Sequence, residues 1–468
     1  MCGIFAIKSL NEENIFTKLY WGILAQNHRG HDSYGFLTFH NGFKRFTGIG
    51  LVPKIEKEDF QKWKLLLPGN TGIAHVRYGT FGSRDLSFKL KAAQPIITSR
   101  NNKELGIAYN GNLVNINGNV PDTEFISNYI LEKNDIIDGI QNFMNNIEGA
   151  YSVVGLDPEG NLFAFRDPLG IRPLLFGEDN STRAFSSESV GFNINDIKSF
   201  KEVEPGELYI IKKDSYERIK LVKRNRRAFC GFEFAYFSRP DSIINGKYVY
   251  EIREELGRRL GKRYQEFVRK SDLIISIPET ADDAAYGLHE ETGLKWERMI
   301  RRHRFVTNRA FIMEPDERIS TISKKINVLN HDLQGKKVIV IEDSIVRGDT
   351  TRTVLKRLRE AGAEKIYVFV TFPKITHPCF YGIDMATFSE LIGFSFNEEQ
   401  IAKIVGADAV CYQTIDDFIN AVGMKRNELC MACTTGEYPT ELAQKIVDKV
   451  KMSSEVLSNK RIYERLYK

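Results

Sequence analysis

The chain has 468 residues, 42% of them hydrophobic and 27% charged, with a formal net charge of +5. So slight a charge over this length demands no nucleic-acid partner, and no apolar run approaches the roughly 20 residues that a membrane helix needs. The composition excludes a dominantly disordered chain, the length exceeds one core and predicts two domains, and the lack of a basic, apolar leader predicts a cytoplasmic protein.

In chain order, the first two hundred residues read as short β-runs broken by Gly, Asn and Asp, for example residues 2–7, 72–77, 105–110 and 151–156. Stacked antiparallel sheets are expected, flanked by helices over 122–133 and 134–146. Beyond the basic run 223–227 the pattern changes to a helix over 249–270, a strand over 273–277, then Pro278 and a further helix. A β-branched run over 337–341 leads into a polar loop, a helix over 350–361 ending at Gly362, and a strand over 365–371. Such units build parallel sheets that place ligands at the carboxyl ends of their strands. The domain boundary is set at residue 225, giving domains 2–225 and 226–468.

The six cysteines of a cytosolic chain suit catalysis, metal binding or burial better than disulfides. The sequence opens Met1-Cys2-Gly3, and removal of Met1 would leave Cys2 with a free α-amine able to serve as base for the thiol beside it. Asn27-His28-Arg29-Gly30-His31-Asp32-Ser33, His75-Val76-Arg77-Tyr78-Gly79-Thr80 and Tyr109-Asn110-Gly111-Asn112-Leu113 resemble, in order and spacing, the class II glutamine amidotransferase domain, an N-terminal nucleophile hydrolase. The resemblance implies that Arg77 pairs with the glutamine α-carboxylate and that Asp122 receives its α-amine. The Asn110 side chain and the Gly111 amide would form an oxyanion hole, where preorganised donors stabilise the charge built by thiolate attack.

Farther on, Val338-Ile339-Val340-Ile341-Glu342-Asp343-Ser344-Ile345-Val346-Arg347-Gly348-Asp349-Thr350-Thr351 resembles the phosphoribosyltransferase signature. Glu342 and Asp343 can face ribose hydroxyls and Mg²⁺. The loop amides, Gly348 and the hydroxyls of Ser344, Thr350 and Thr351 suit a 5-phosphate at a helix N-terminus, with Val346 and Arg347 in the same loop. Together with Phe234-Ala235-Tyr236-Phe237-Ser238-Arg239-Pro240-Asp241-Ser242, Ile277-Pro278-Glu279-Thr280 and Tyr381-Gly382-Ile383-Asp384-Met385, these segments resemble the glutamine phosphoribosylpyrophosphate amidotransferase family over nearly the whole chain. Two departures stand out. Glu342 replaces the first Asp of the acidic pair usual there, and Ala281 replaces a Ser associated with the metal. The cationic stretch 301–327 reads as a loop that the family folds over pyrophosphate, which implies phosphate contacts for Arg304 and Lys325.

Cys430-Met431-Ala432-Cys433 is by itself ambiguous among zinc, redox and no role. With the contexts of Cys230 and Cys379 it resembles the branch of the family that binds a [4Fe-4S] cluster through four thiolates; Cys411 lies in an apolar run and is expected to be buried. The implied fold is an α+β N-terminal nucleophile hydrolase domain of stacked antiparallel sheets flanked by helices, followed by an α/β phosphoribosyltransferase domain with a mainly parallel sheet. The implied enzyme makes 5-phosphoribosylamine from phosphoribosyl pyrophosphate and glutamine at the first step of purine synthesis. Purine nucleotides are its expected feedback inhibitors, and a homo-oligomer, with no nucleic acid or membrane partner, is its expected state. The alternative is a phosphoribosyl pyrophosphate-binding regulatory protein without amidotransferase activity.

Overall fold

A computed structural model describes residues 1–79, 86–114, 121–213, 215–303, 326–329, 333–385, 387–453 and 456–458. The first half is built on two antiparallel sheets laid face to face. One has seven strands in the order Ser199–Glu202, Leu175–Glu178, Thr182–Ser186, Gly3–Ser9, Thr71–Arg77, Ser33–Phe39 and Phe43–Ile49. The other has six, in the order Tyr216–Lys220, Glu207–Ile211, Leu162–Arg166, Gly149–Leu156, Lys103–Leu113 and Ile96–Arg100.

Strand alternation sorts their side chains into layers. From Gly3–Ser9, Ile4 and Ala6 turn toward the second sheet and join Ala108, Val154 and Ala164. Phe5 and Ile7 turn outward and pack with Phe16, Leu19 and Ile23 of the helix Phe16–Leu24. The helices Asp122–Ile130 and Ile136–Asn146 cover the far face of the second sheet through Ile126, Ile130, Ile140 and Phe143. Because Gly3–Ser9 is the middle strand of its sheet, Cys2 is delivered to the sheet's end and is only 8% exposed.

The second half is built on a five-stranded parallel sheet in the order Lys295–Trp296, Leu273–Ser276, Lys337–Glu342, Lys365–Val370 and Ala409–Tyr412. Both faces are covered, which is why its strands read as unbroken apolar runs. Val338 and Val340 pack with Val354, Leu355 and Leu358 of the helix Asp349–Glu360. Ile339 and Ile341 face Ala284, Ala285 and Leu288 of the helix Asp282–Thr292. Lys337–Glu342 is the central strand, so the acidic pair at its carboxyl end opens at the middle of the sheet. Cys411 is buried, as expected from its apolar run, within Ala409–Tyr412.

Two elements depart from the sequence reading. The helix expected over 249–270 runs as Val249–Arg263 and Gln265–Val268, with Tyr264 between them at φ −109° and ψ 43°. Its hydroxyl donates to the Tyr412 carbonyl at 2.7 Å and its ring packs on Phe369, long-range ties that periodicity does not reveal. The stretch 301–327 is not all loop, because its ends pair as antiparallel strands, Ile300–Arg302 with Ile326–Val328. Arg304 and Lys325 lie outside the described residues.

One apolar cluster joins the halves: Met1, Val114, Ala150 and Ile171 pack among Phe229, Phe232, Phe372 and Leu429. Among the described residues, no helix is long and apolar enough to cross a membrane.

Candidate active sites

The strands converge on Cys2. Its thiol receives the Tyr78 amide at 3.5 Å, its nitrogen donates to Asn110 Oδ1 at 3.1 Å, and its carbonyl accepts from Arg29 Nε at 2.9 Å. Asn110 is 1% exposed, and its Nδ2 has no hydrogen-bond partner among the described residues. A buried amide with an unmatched donor is free to hydrogen-bond an incoming acceptor. Next to it, a Cβ at Gly111 would lie 1.8 Å from the Ala150 carbonyl, so only glycine lets this strand run so close to its neighbour. Arg77 stands at the end of Thr71–Arg77, 4.0 Å from Asp32. Asp122 opens its helix and accepts from the Tyr109 hydroxyl and, at 3.3 Å, from the Leu113 amide. Burial pushes the Asp122 carboxyl above its usual range, while Tyr109, Leu113 and Arg77 pull it back.

The second site surrounds the acidic pair. Glu342, Asp343, Ser344, Val346, Arg347, Gly348, Thr350 and Thr351 all line one cavity of ≈ 320 Å³. Thr280 and Ser344 donate to Asp343 at 2.5 and 2.6 Å, and Thr351 donates to Glu342 at 3.2 Å. Burial raises both carboxyls above their usual range, and for Glu342 the neighbouring Asp343 charge raises it further. Ala281 is buried and brings no oxygen, while Thr280 beside it does. Gly348, at φ +86°, turns the chain into the helix Asp349–Glu360, whose N-terminus borders the cavity and suits an anion.

Sequence reasoning missed the residues that join the two sites. Tyr78, whose amide meets the Cys2 thiol, also lines the acidic cavity with Phe232, Tyr236 and Phe237. Behind it runs a fully buried chain of charges. Arg29 reaches Glu188 at 2.5 Å and Glu233 at 2.8 Å, Glu233 lies 3.6 Å from Arg172, and Ser238 and Ser242 donate to the two glutamates. Arg29 stands within a motif already singled out and Glu233 immediately precedes another, but their pairing across 204 positions was not visible.

Four cysteines come into one neighbourhood. Cys230 and Cys430 face each other in register on a two-stranded parallel pair. Burial raises the Cys230 thiol to about 11, and nearby Cys379 adds to this. Cys433 is raised by burial and by Cys379, Cys230 and Cys430 together. Among the described residues, no group of three or more His, Cys, Asp or Glu side chains is arranged to hold a metal ion.

The family model for the glutamine amidotransferase domain matches residues 85–193. The amidophosphoribosyltransferase of Methanothermobacter thermautotrophicus is 34% identical over 474 residues, covering 97% of each chain. A solved structure described as the allosteric regulatory enzyme of purine biosynthesis superposes with a TM-score of 0.85 at 31% identity, covering 97% of this chain and 99% of the other. The glutamine phosphoribosylpyrophosphate amidotransferase of B. subtilis, complexed with ADP and GMP, superposes with a TM-score of 0.83 at 32% identity over 94% of this chain and 98% of its own.

Proposed function

The chain belongs to the amidophosphoribosyltransferase family, and from that premise we propose how its two sites divide the glutamine-dependent reaction that opens purine biosynthesis. Once Met1 is removed, the α-amine of Cys2 takes the proton of its own thiol, and the thiolate attacks the carboxamide of glutamine. Asn110 orients that amine through Oδ1 and meets the oxyanion through Nδ2, with the Gly111 amide as second donor. Arg77 holds the α-carboxylate and Asp122 the α-amine. Ammonia departs as the thioester forms, and water then releases glutamate.

The observation that carries the coupling is Tyr78, which touches the Cys2 thiol and walls the acidic cavity. Ammonia formed at Cys2 passes this residue, bordered by Phe232 and Phe237, and attacks C1 of phosphoribosyl pyrophosphate. Pyrophosphate leaves and 5-phosphoribosylamine remains. Ser344, Thr350, Thr351 and the amides from Val346 through Arg347 to Gly348 hold the 5-phosphate, while Arg304 and Lys325 serve the pyrophosphate. Glu342 and Asp343, two buried carboxyls raised by burial, are an oxygen donor pair suited to Mg²⁺. Bound there, Mg²⁺ would offset charge on the leaving pyrophosphate.

The same proposal divides the chain at residue 225 and gives it a homo-oligomeric state and purine nucleotide feedback, for which the ADP and GMP of the B. subtilis relative are the precedent. It assigns Cys230, Cys379, Cys430 and Cys433 to a [4Fe-4S] cluster tying the C-terminal segment to the core. The support is an all-thiol donor set, with Cys230 and Cys430 in register on one strand pair and Cys379 and Cys433 near them. The test is glutamate release from glutamine with and without phosphoribosyl pyrophosphate, alongside intact mass. Stimulated release and a chain lacking Met1 are expected. A retained Met1, or no stimulation, would overturn the reading and favour a regulatory ligand-binding role.

A further inference from the structure

Tyr109 precedes the oxyanion pair Asn110 and Gly111 on the strand Lys103–Leu113, yet its hydroxyl reaches the helix Asp122–Ile130 and donates to Asp122 Oδ2. Its backbone is pinned from both sides. The amide donates to Gln94 Oε1 at 2.7 Å, and the carbonyl accepts from His75 Nε2 at 3.0 Å. A carbonyl can only accept, so Nε2 carries the proton of a histidine that burial keeps neutral. The ring, 7% exposed, packs in the cluster that holds Leu113, Ile126 and Ile130. Asp122 Oδ2 also accepts from the Leu113 amide. Two donors from one rigid strand on one oxygen fix the rotation of the carboxylate, and with it the direction of the other oxygen. The helix itself adds only the backbone amide of Asp122.

We propose that Tyr109 is a positioning residue for glutamine selection, its phenol holding the Asp122 carboxylate where the substrate α-ammonium lands. This rests on the reading of Asp122 as the α-amine site. The hydroxyl acts only on the end of the substrate remote from the bond that breaks. It therefore affects recognition of an amino acid amide and leaves attack on the carboxamide alone. An amide without the α-amine gains nothing from it.

The test compares Tyr109→Phe, Asp122→Asn and the double variant in the full chain, with glutamine and with glutaramate, the same amide lacking the α-amine. Tyr109→Phe keeps the ring and its packing and removes only the hydroxyl. It should raise KM for glutamine about 10- to 100-fold, as loss of a hydrogen bond to a charged group implies. It should hold kcat within about twofold and leave kcat/KM for glutaramate unchanged. Asp122→Asn should raise KM for glutamine at least as much, and the double variant no further. Equal losses on both amides after Tyr109→Phe, or an unchanged KM for glutamine, would overturn the proposal while Asp122→Asn still behaves as expected. An unchanged KM after Asp122→Asn would instead remove the reading of Asp122 on which the proposal stands.

Discussion

Replacing Asn110 by alanine tests the proposed oxyanion site. In that proposal this side chain has two tasks, as an acceptor for the Cys2 nitrogen at 3.1 Å and as a buried donor with no partner among the described residues. Losing one preorganised donor of two costs about 2.7–4 kcal/mol, or about 10² to 10³ in kcat. Losing the acceptor adds about 1 kcal/mol, roughly a further fivefold. Asn110→Asp separates the two tasks, because it keeps an acceptor for the nitrogen but sets a negative charge against the oxyanion, and it should fall at least as far. The assay is glutamate release at saturating glutamine and phosphoribosyl pyrophosphate, beside synthesis from external ammonia, which bypasses Cys2. Glutamine-dependent turnover should drop while ammonia-dependent synthesis persists. A loss of less than about tenfold, or equal losses in both reactions, would refute the reasoning.

Glu233→Gln should destabilise the chain by about 3 kcal/mol in urea unfolding, because Arg29 and Arg172 stay fully buried with one counter-charge removed. Asp59→Asn, in the exposed pair with Lys62, should cost less than about 0.5 kcal/mol, and similar losses in the two would contradict this account. His75 is buried and its pKa is lowered to about 3, chiefly by burial. Between that value and an unfolded value of about 6.5, the unfolded chain binds the extra proton, so stability falls as pH falls, by about 1.4 kcal/mol per unit from this group. His75→Gln should flatten the stability profile over that window, and an unchanged slope would rule the histidine out as its source. Protein purified without oxygen should carry about four iron atoms per chain, Cys433→Ser should lose them, and iron-free wild-type protein would remove the cluster from the account.

Much of this was legible because local chemistry carried it. Within the runs 337–341 and 365–371, residues 338–341 and 366–370 are apolar, as strands buried on both faces must be, and the acidic residues closing the first mark where the sheet opens. Cys2, Asn110, Gly111, Arg77 and Asp122 stood in motifs whose order is as informative as their composition. What escaped was long-range. Nothing near Tyr264 in sequence announces the bond to Tyr412 that accompanies the break in its helix. Tyr78 lay inside a recognised motif, but that it belongs to both sites depends on how the halves pack. Tyr109 headed a recognised motif, but the bond from its hydroxyl to Asp122 joins two separate elements and leaves no mark in the sequence.

The ion chain through Arg29 also bears on the order in which the protein is made. Arg29 and Glu233 are 204 positions apart, and at 5–20 residues per second a ribosome needs about 10–40 s to go from one to the other. Glu188, 159 positions after Arg29, is made first, so for most of that interval the arginine that donates to the Cys2 carbonyl has neither glutamate, and near its end only Glu188. The ties around Cys2, encoded by the second codon, are therefore complete only once the second half of the chain is made.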